Sequence, residues 1–359
     1  MANYTIIHHN DLDGVGAAAI VYNYITTHVA GDHNFNFVSY KYDDVSAKAV
    51  NDALLIAAQE GHYVFVVDIS ISETNIHAID NIYKIAKDKL VWCDHHVSSV
   101  SWIKSTVGTN EELHYNGIVN PRRCGACHVY QYLYNCTFRK VPDYVRLIDD
   151  YDRWILSTVK SSYFNTIFHA DDELKKDPTS SAWRLICNPG CGFNDVFTNG
   201  KTITDRDFSS FLTKGKIIYE HHESENKVAR DTKMYNAKIL LAYTEPGEKS
   251  EYVEYSALAM NHSGNPDVFG EERNRNDIDV CFTYYVTRNG GVKYSFRSSH
   301  GWVRCDIIAK YLGGGGHQLA AGAYECNRVR LSNDNIVLYI SKEDMKIVKN
   351  ALKKRPNIT

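Results

Sequence analysis

The chain has 359 residues, of which 44% are hydrophobic and 23% charged, and its 40 basic and 43 acidic side chains give a net charge of −3. This composition excludes a disordered or fibrous chain, and the length corresponds to two or three domains. No apolar run approaches the roughly 18 residues of a membrane-spanning helix. Because residues 1–11 do not combine a basic segment with an apolar one, we expect no signal peptide and a cytoplasmic location.

Short apolar segments alternate with amphipathic ones through the first half of the chain. The pattern predicts strands over residues 4–8, 35–40, 63–68 and 89–94. It predicts helices over residues 16–28, 45–60 and 72–87. Strands that alternate with helices favour a parallel α/β sheet, in which ligands bind beyond the carboxyl ends of the strands.

The second half has a more mixed pattern. It predicts helices over residues 124–134, 143–154 and 304–312, a loop-rich stretch over 171–200 and a helical connector over 208–226. It predicts strands over residues 237–243, 278–287, 292–297 and 336–340, a hairpin turn at 289–291 and a lysine-bearing helix after the last strand. We therefore expect an α/β fold with a parallel-sheet N-terminal domain (1–170), a connector (171–235) and a smaller mixed α/β C-terminal domain (236–359), and a cleft between the two domains.

Four clusters of acidic and histidine residues carry the strongest chemical signal. They are His9, Asp11 and Asp13; Asp68; Asp94, His95 and His96; and Asp149, Asp150 and Asp152. The first three follow predicted strands, so a parallel sheet would bring them to one rim, where their carboxylates would repel one another without a cation. Carboxylate and imidazole ligands suit Mn(II), Mg(II) or Fe(II). Taken singly, each cluster is equally typical of a turn, a helix cap or a surface pair.

A glycine-rich segment provides the second signal. Four glycines, residues 313–316, precede His317 and the small residues 320–322, and Arg297, Ser298 and Ser299 come shortly before them. Consecutive glycines let backbone amides approach an anion, and a nearby arginine can grip a phosphate. The alternative interpretation is a flexible hinge.

In combination, these motifs make the chain resemble the DHH phosphoesterases with a DHH-associated C-terminal domain. The resemblance rests on HNDLDG at 9–14, VVD at 66–68, DHH at 94–96, DDYDRW at 149–154, and RSS followed by GGGGHQLAAG within 297–322. The form of the first and fourth motifs is most similar to the oligoribonuclease, or nanoRNase, branch. One departure concerns substrate fit: residues 122–127, RRCGAC, replace the small Ser/Thr-rich turn usual in the family.

The resemblance implies two divalent metal ions, with manganese expected and magnesium or iron as alternatives. One ion would be held by His9, Asp11 and Asp68, and the other by Asp13, Asp68, His95 and Asp152. Asp149 and Asp150 stay open as substitutes for Asp152. The implied catalytic residues are His96, beside the scissile phosphate, with Asp68 and Asp13. The implied substrate-binding residues are Arg297, Ser298, Ser299, Gly315, Gly316 and His317.

The implied activity is a phosphodiesterase that hydrolyses di- to pentaribonucleotides to nucleoside 5′-monophosphates by two-metal activation of water. The alternatives are a phosphodiesterase of cyclic mono- or dinucleotides or of 3′-phosphoadenosine 5′-phosphate, and a non-catalytic nucleotide-binding regulator. We expect a short single-stranded oligonucleotide or a nucleotide as the partner, no membrane, and a monomer or homodimer. Since the net charge is slightly negative, we expect no binding of duplex nucleic acid.

Overall fold

A four-stranded parallel sheet forms the centre of the first of two units, Met1–Tyr219 and Glu220–Thr359, in the computed structural model. The structure describes residues 1–41, 44–70, 80–110, 112–187, 197–198, 201–202, 205–247, 249–263, 266–325 and 335–356. The strands are β1 (Ala2–His9), β2 (His33–Tyr40), β3 (Tyr63–Val67) and β4 (Leu90–Cys93). Their order is β2-β1-β3-β4, which confirms the predicted parallel sheet.

Alternating side chains bury both faces of this sheet. Ile6 and Phe65 belong to the core on the side of helix α1 (Leu12–His28), whereas Ile7 and Val66 belong to the core on the side of helix α2 (Asp44–Glu60). Strands β3 and β4 are nearly continuous apolar runs, as expected for buried parallel strands, whereas the edge strand β2 alternates polar and apolar residues. Charged side chains are therefore left to the strand ends.

The chain around β4 differs from the prediction. Residues 71–79, most of the predicted helix 72–87, lie outside the described part, and Asp80–Lys84 and Lys87–Lys89 form 3-10 helices. Helix α3 (Val97–Thr106), which was not predicted, begins just after the DHH motif. Residues 116–120 run parallel to β4, where the amide of Asp94 donates to the carbonyl of Ile118 at 3.1 Å.

The rest of the first unit is helical. It contains α4 (Gly125–Leu133), α5 (Asp143–Asp152), α6 (Val159–Ala170), α7 (Asp172–Lys176) and α8 (Ser181–Cys187), followed by the short strands β5 (Phe197–Thr198) and β6 (Lys201–Thr202). The prediction of a loop over 171–200 is wrong for α7 and α8. Asp171 caps α7, and Leu174, Trp183 and Ile186 are buried in the core, so tertiary packing stabilises two helices too short to recognise by periodicity. Residues 188–196 and 199–200 lie outside the described part.

Helix α9 (Asp205–Lys233) leads into a seven-stranded mixed sheet. Its strands are β7 (Met234–Tyr243), β8 (Glu251–Asn261), β9 (Val280–Val286), β10 (Val292–Arg297), β11 (Gly315–Gly316), β12 (Ala320–Glu325) and β13 (Asn335–Tyr339). The order is β11-β12-β10-β9-β8-β7-β13, with β8–β9 and β7–β13 parallel and the other pairs antiparallel. The predicted hairpin between β9 and β10 is present.

Two helices, α10 (Cys305–Lys310) and α11 (Lys342–Leu352), complete this second unit. Strand β8 was missed because its second half, with Leu258 and Met260, is buried on both faces and lacks the alternation that marks a half-exposed strand. Among the helices in the described ranges, none has the length and apolar character needed to cross a membrane.

Candidate metal centre

The first group of charged residues lies where β1 ends and α1 begins. Asp11 caps α1, and its Oδ1 accepts a hydrogen bond from the amide of Gly14 at 2.9 Å. A Cβ on residue 14 would lie 2.3 Å from the carbonyl oxygen of His9, so this tight turn requires glycine. The turn places His9 Nδ1 2.8 Å from Asp11 Oδ2, while Asp13 faces into the protein.

Asp68 lies at the centre of the site. It follows β3 with φ at +55°, in the left-handed region that a residue other than glycine occupies at an energetic cost. Its Oδ2 is 3.6 Å from His9 Nδ1, and its Oδ1 is 3.2 Å from His95 Nε2. The residue is only 1% exposed, yet neither carboxylate oxygen accepts a hydrogen bond from any described residue.

A second group gathers around His95. Its Nε2 lies 3.7 Å from Asp13 Oδ2 and 3.3 Å from Asp152 Oδ2, in addition to its approach to Asp68. Asp152 Oδ2 is also buried and accepts no hydrogen bond within the described part of the chain. His95 follows β4 and Asp152 ends α5, so two distant segments converge on one point.

The beginning of α4 fixes Asp13. The amide of Gly125 donates to Asp13 Oδ2 at 2.6 Å, and the amide of Ala126 donates to Oδ1 at 2.7 Å. These amides are free to do so because the first turn of a helix leaves its N–H groups without intrahelical partners. A Cβ on residue 125 would lie 2.7 Å from Asp68 Cβ and 3.1 Å from Asp13 Oδ2, so only glycine fits.

The three acidic residues of the fourth cluster have different environments. Asp149 accepts hydrogen bonds from the Cys124 amide and from Arg123, each at 2.8 Å. Asp150 accepts from the amide and hydroxyl of Ser157, at 3.0 and 2.6 Å. Only Asp152, of the three, approaches His95. The structure thus gives Asp149 and Asp150 partners within the chain and brings Asp152 to the centre.

The remaining histidine of the DHH motif is held by its own aspartate. His96 Nδ1 lies 2.7 Å from Asp94 Oδ1, and Asp94 Oδ2 accepts a hydrogen bond from the hydroxyl of Ser99. Asp94 is completely buried, and the rings of His95 and His96 lie 4.8 Å apart between centroids. Asp94 and Ser99 therefore determine which edge His96 presents.

The close packing of these residues raises the pKa of two carboxyl groups beside His95, those of Asp13 and Asp152. Burial, with the charges of Asp68 and Asp152, raises the pKa of Asp13 well above its ordinary value. Burial, reinforced by Asp68 and opposed by His95, raises the pKa of Asp152 to about 7. Both carboxyl groups thus resist ionising in the absence of a cation.

The pKa values of His9 and His95 are raised, whereas burial alone lowers the pKa of an imidazole. Although burial alone would lower it, the neighbouring Asp11 raises the pKa of His9 well above its usual value. Burial also opposes the charged form of His95, but Asp152 and Asp68 raise its pKa. Without a cation, protons on these groups supply the positive charge of the cluster. Metal ligands must release such protons when an ion binds.

Two groups of potential ligands fit divalent cations. The ligand atoms of His9, Asp11 and Asp68 lie within 4.8 Å of one another, as do those of Asp13, His95 and Asp152. Asp68 approaches both histidines with different oxygens that lack hydrogen bonds. All donors are carboxylate or imidazole, which suits Mn(II), Fe(II) or Mg(II) better than an ion that prefers thiolate.

The predicted substrate-binding residues lie in the second unit. Arg297 ends β10, and its Nη1 donates to the carbonyl of Phe296 at 2.8 Å. The hydroxyl of Ser298 is buried and donates to the carbonyl of Asp279 at 2.6 Å. The hydroxyl of Ser299 donates to Asn274 Oδ1 at 2.7 Å. Both serine hydroxyls therefore bind to the chain itself.

The glycine run forms a hairpin. Gly315 and Gly316 of β11 pair with Gly322 and Ala321 of β12. His317 closes the turn, because its amide donates to the carbonyl of Ala320 at 2.7 Å. In register, Ala320 also pairs with Arg297. This segment is thus a paired hairpin next to Arg297, and the alternative interpretation as a hinge is wrong.

Several residues of the site were missed in the sequence. Asp94, which holds His96, belonged to a predicted cluster but had no assigned role, while Ser99 and the amides of Gly125 and Ala126 were not among the predicted site residues. The small residues 124–127 at the start of a predicted helix were the available signal, since amides at a helix N-terminus attract carboxylates.

The geometry includes the Asp94–His95–His96 motif at the end of a parallel strand, inside a cluster of aspartates. Residues 3–140 match the model of the DHH family, N-terminal domain. No curated protein sequence matches the chain. The DHH match covers the part of the chain that contains every first-unit site residue except Asp152.

Solved structures extend the comparison over nearly the whole chain. A DHH domain described as a member of a family of ribosomal proteins is 15% identical, with a TM-score of 0.57 and coverage of 98% of this chain and 86% of that one. The pGpG-specific phosphodiesterase PggH from Vibrio cholerae is 13% identical, with a TM-score of 0.38 and 97% coverage of both chains. The exonuclease RecJ bound to manganese is 15% identical, with a TM-score of 0.40 and coverage of 98% and 89%. The first similarity shows a shared fold.

Proposed function

We propose that the protein is a divalent-metal-dependent phosphodiesterase that hydrolyses short single-stranded oligoribonucleotides to nucleoside 5′-monophosphates. The observation that carries the proposal is the environment of Asp68. Asp68 is buried, and its two oxygens approach the imidazoles of His9 and His95, one from each group of ligands. In the proposal, Asp68 would therefore contribute a ligand to both ion sites.

The proposal includes a ligand set for each ion. His9, Asp11 and Asp68 would hold one ion, and Asp13, Asp68, His95 and Asp152 the other. When bound, such a pair supplies Lewis-acid activation of water and neutralises charge on a phosphoryl group. We propose manganese for both positions, with magnesium or iron as alternatives that the carboxylate and imidazole donors would also accept.

The chain's own groups position the reaction. The amides of Gly125 and Ala126 hold Asp13 by both oxygens and so fix the direction of a ligand. Asp94 binds Nδ1 of His96, which directs the opposite edge of the ring, with Nε2, towards substrate. In the proposal this edge donates to a non-bridging oxygen of the scissile phosphate. Arg297 and His317 bind a phosphate or the terminal nucleotide.

The test combines ion binding with product analysis. Purified protein is titrated with Mn(II) by calorimetry, and its products from a dinucleotide, a pentanucleotide, a long RNA, a cyclic dinucleotide and 3′-phosphoadenosine 5′-phosphate are separated by liquid chromatography. We expect two ions per chain and rapid release of monophosphates from the short oligonucleotides. Asp68→Asn should bind fewer ions and lose at least about a hundredfold in turnover, because it removes the bridging charge.

Asp52→Asn is the matched control, since Asp52 is an exposed acid whose partner is Lys48 at 3.7 Å. It should bind and turn over like the unmodified protein. Preference for the cyclic or bisphosphate substrate would replace the proposed substrate. Bound ions without hydrolysis of any compound would overturn the proposal of an enzyme, and full turnover by Asp68→Asn would overturn the assigned centre.

A further inference from the structure

Six cationic side chains lie on neighbouring segments of the first unit near the candidate metal centre, and we name this group the basic ridge. The basic ridge consists of Arg122, Arg123, Arg139, Lys140, Arg146 and Arg153. They come from the segment before α4, the 3-10 turn Phe138–Lys140, and α5. None of them belongs to the proposed ligand set.

Contacts connect Arg123, Arg146 and Arg153, and Arg122, Arg139 and Lys140 lie close to them in the chain. The guanidinium of Arg123 lies 3.6 Å from the centroid of the Phe138 ring, and that of Arg146 lies 5.9 Å from the same ring. Arg146 also donates to the carbonyl of Arg139 at 2.7 Å. Arg153 lies 3.3 Å from the same oxygen of Asp149 that Arg123 contacts. These contacts therefore link neighbouring segments from Arg139 to Arg153.

Two consecutive backbone amides connect the ridge to the metal centre. The amide of Cys124 donates to Asp149, which holds Arg123 and Arg153. The next amide, of Gly125, donates to Asp13. Because consecutive amides bind the carboxylates of Asp149 and Asp13, Arg123 and Arg153 lie close to the proposed ligand Asp13.

Positive charge on the ridge exceeds what its neighbours neutralise. The carboxylates paired with it are Asp149, which is buried and shared by two arginines, and Asp143, 3.5 Å from Arg146. Arg122, Arg139 and Lys140 are exposed and form no ion pair with a residue in the described ranges. Cations that the fold does not need for neutralisation are available to a ligand.

We propose that the basic ridge binds the backbone phosphates of a single-stranded nucleic acid that flank the scissile bond. This inference rests on the proposed function and narrows its substrate class to linear strands with several phosphates. Five of the six side chains are arginines, whose planar groups bind phosphate in a bidentate manner and stack on bases, which favours nucleic acid over inorganic polyphosphate. A dinucleotide has too few phosphates to use the ridge.

The test measures binding without metal, so that it does not depend on turnover. Fluorescence anisotropy of labelled pentauridylate is followed in EDTA with the variant Arg122→Gln/Arg139→Gln/Lys140→Gln. We expect about a tenfold rise in Kd at about 50 mM salt, and a slope of log Kd against log salt that is smaller by about two, because each lost phosphate contact removes about 0.7. These side chains are exposed, so thermal unfolding should be unchanged.

The control variant, Lys48→Gln/Lys104→Gln/Lys176→Gln, removes the same charge from exposed positions of the first unit. It should retain both the Kd and the salt slope. Equal effects of the two triple variants would overturn the basic ridge as a binding site. Displacement of pentauridylate by polyphosphate of equal charge as readily as by unlabelled pentauridylate would overturn the assignment to nucleic acid.

A kinetic comparison separates this inference from the proposed function. In the ridge variant, the ratio of kcat/KM for pentauridylate to that for diuridylate should fall about tenfold. If the unmodified protein binds pentauridylate through the ridge and hydrolyses nothing, the proposed function fails and the binding site stands. If it hydrolyses both substrates and the ratio does not change in the variant, the ridge fails and the enzyme stands.

Discussion

Asp68 in the first unit and Asp279 in the second are equally buried, each with 1% of its surface exposed, but their surroundings are opposite. Asp279 accepts hydrogen bonds from the Ser256 amide and the Trp302 indole, each at 2.9 Å, and lies 3.1 Å from Arg355 Nη2. Asp68 accepts no hydrogen bond from a described residue. Asp279 is thus held by donors of its own unit, whereas Asp68 lies beside the imidazoles of His9 and His95, and the proposed function makes it a metal ligand.

Gly125→Ala should have the largest effect on this contrast. The added methyl group would lie 2.7 Å from Asp68 Cβ and displace the amides that hold Asp13, so two proposed ligands, Asp68 and Asp13, would move. We expect a loss of about a hundredfold in Mn(II) affinity, measured by calorimetric titration. Gly301→Ala is the control, because a Cβ there meets nothing within 4 Å. Unchanged affinity in Gly125→Ala would mean that α4 does not support the centre.

Asp279→Asn should lower the free energy of unfolding by about 3 kcal/mol, because all three partners of Asp279 are donors and an amide would turn a donor towards one of them. Urea denaturation measures the loss. The control is Asp277→Asn, which removes an exposed acid paired with Arg275 and should leave the free energy of unfolding nearly unchanged. Similar losses in both variants would refute the special role of Asp279.

The smallest expected effect is an increase in the free energy of unfolding. Asp152 has a folded-state pKa of about 7, above its ordinary value, so the metal-free protein loses stability as the pH rises from about 4 to 7. Asp152→Asn removes this penalty. In EDTA at pH 8 we expect it to unfold with a free energy higher by on the order of 1 kcal/mol, with the gain absent at pH 4.

Urea denaturation at the two pH values provides the measurement. Asp52→Asn, at an exposed position, should show no such dependence on pH. A loss of stability for Asp152→Asn at pH 8 would contradict the view that this carboxylate is held at a cost in the metal-free protein.

The centre was predictable where strand pattern and charge coincide. Asp68 and Asp94 each follow a nearly continuous apolar strand, so their meeting at one rim follows from parallel pairing alone. The helix pattern alone did not rank Asp149, Asp150 and Asp152; the resemblance favoured Asp152 and left the other two as substitutes. Which of the three approaches His95 depends on tertiary packing around α5.

Elements that form only through tertiary contacts could not be predicted from the sequence. Residues 116–120 pair with β4 only through its exposed edge, and nothing in their composition indicates a strand. Likewise, α8 owes its helix to the burial of Trp183 and Ile186 against the first core. Local propensity is a weak guide for such short segments, since most of their stability comes from packing.

The left-handed backbone at Asp68 limits how the proposed metal centre can be redesigned. Aspartate, asparagine and glycine tolerate that conformation, whereas bulkier or β-branched side chains are disfavoured there. A designer who seeks a softer ion by introducing histidine or cysteine ligands must therefore leave position 68 unchanged. Exchange is better directed at Asp152, whose helical backbone accepts any of these side chains.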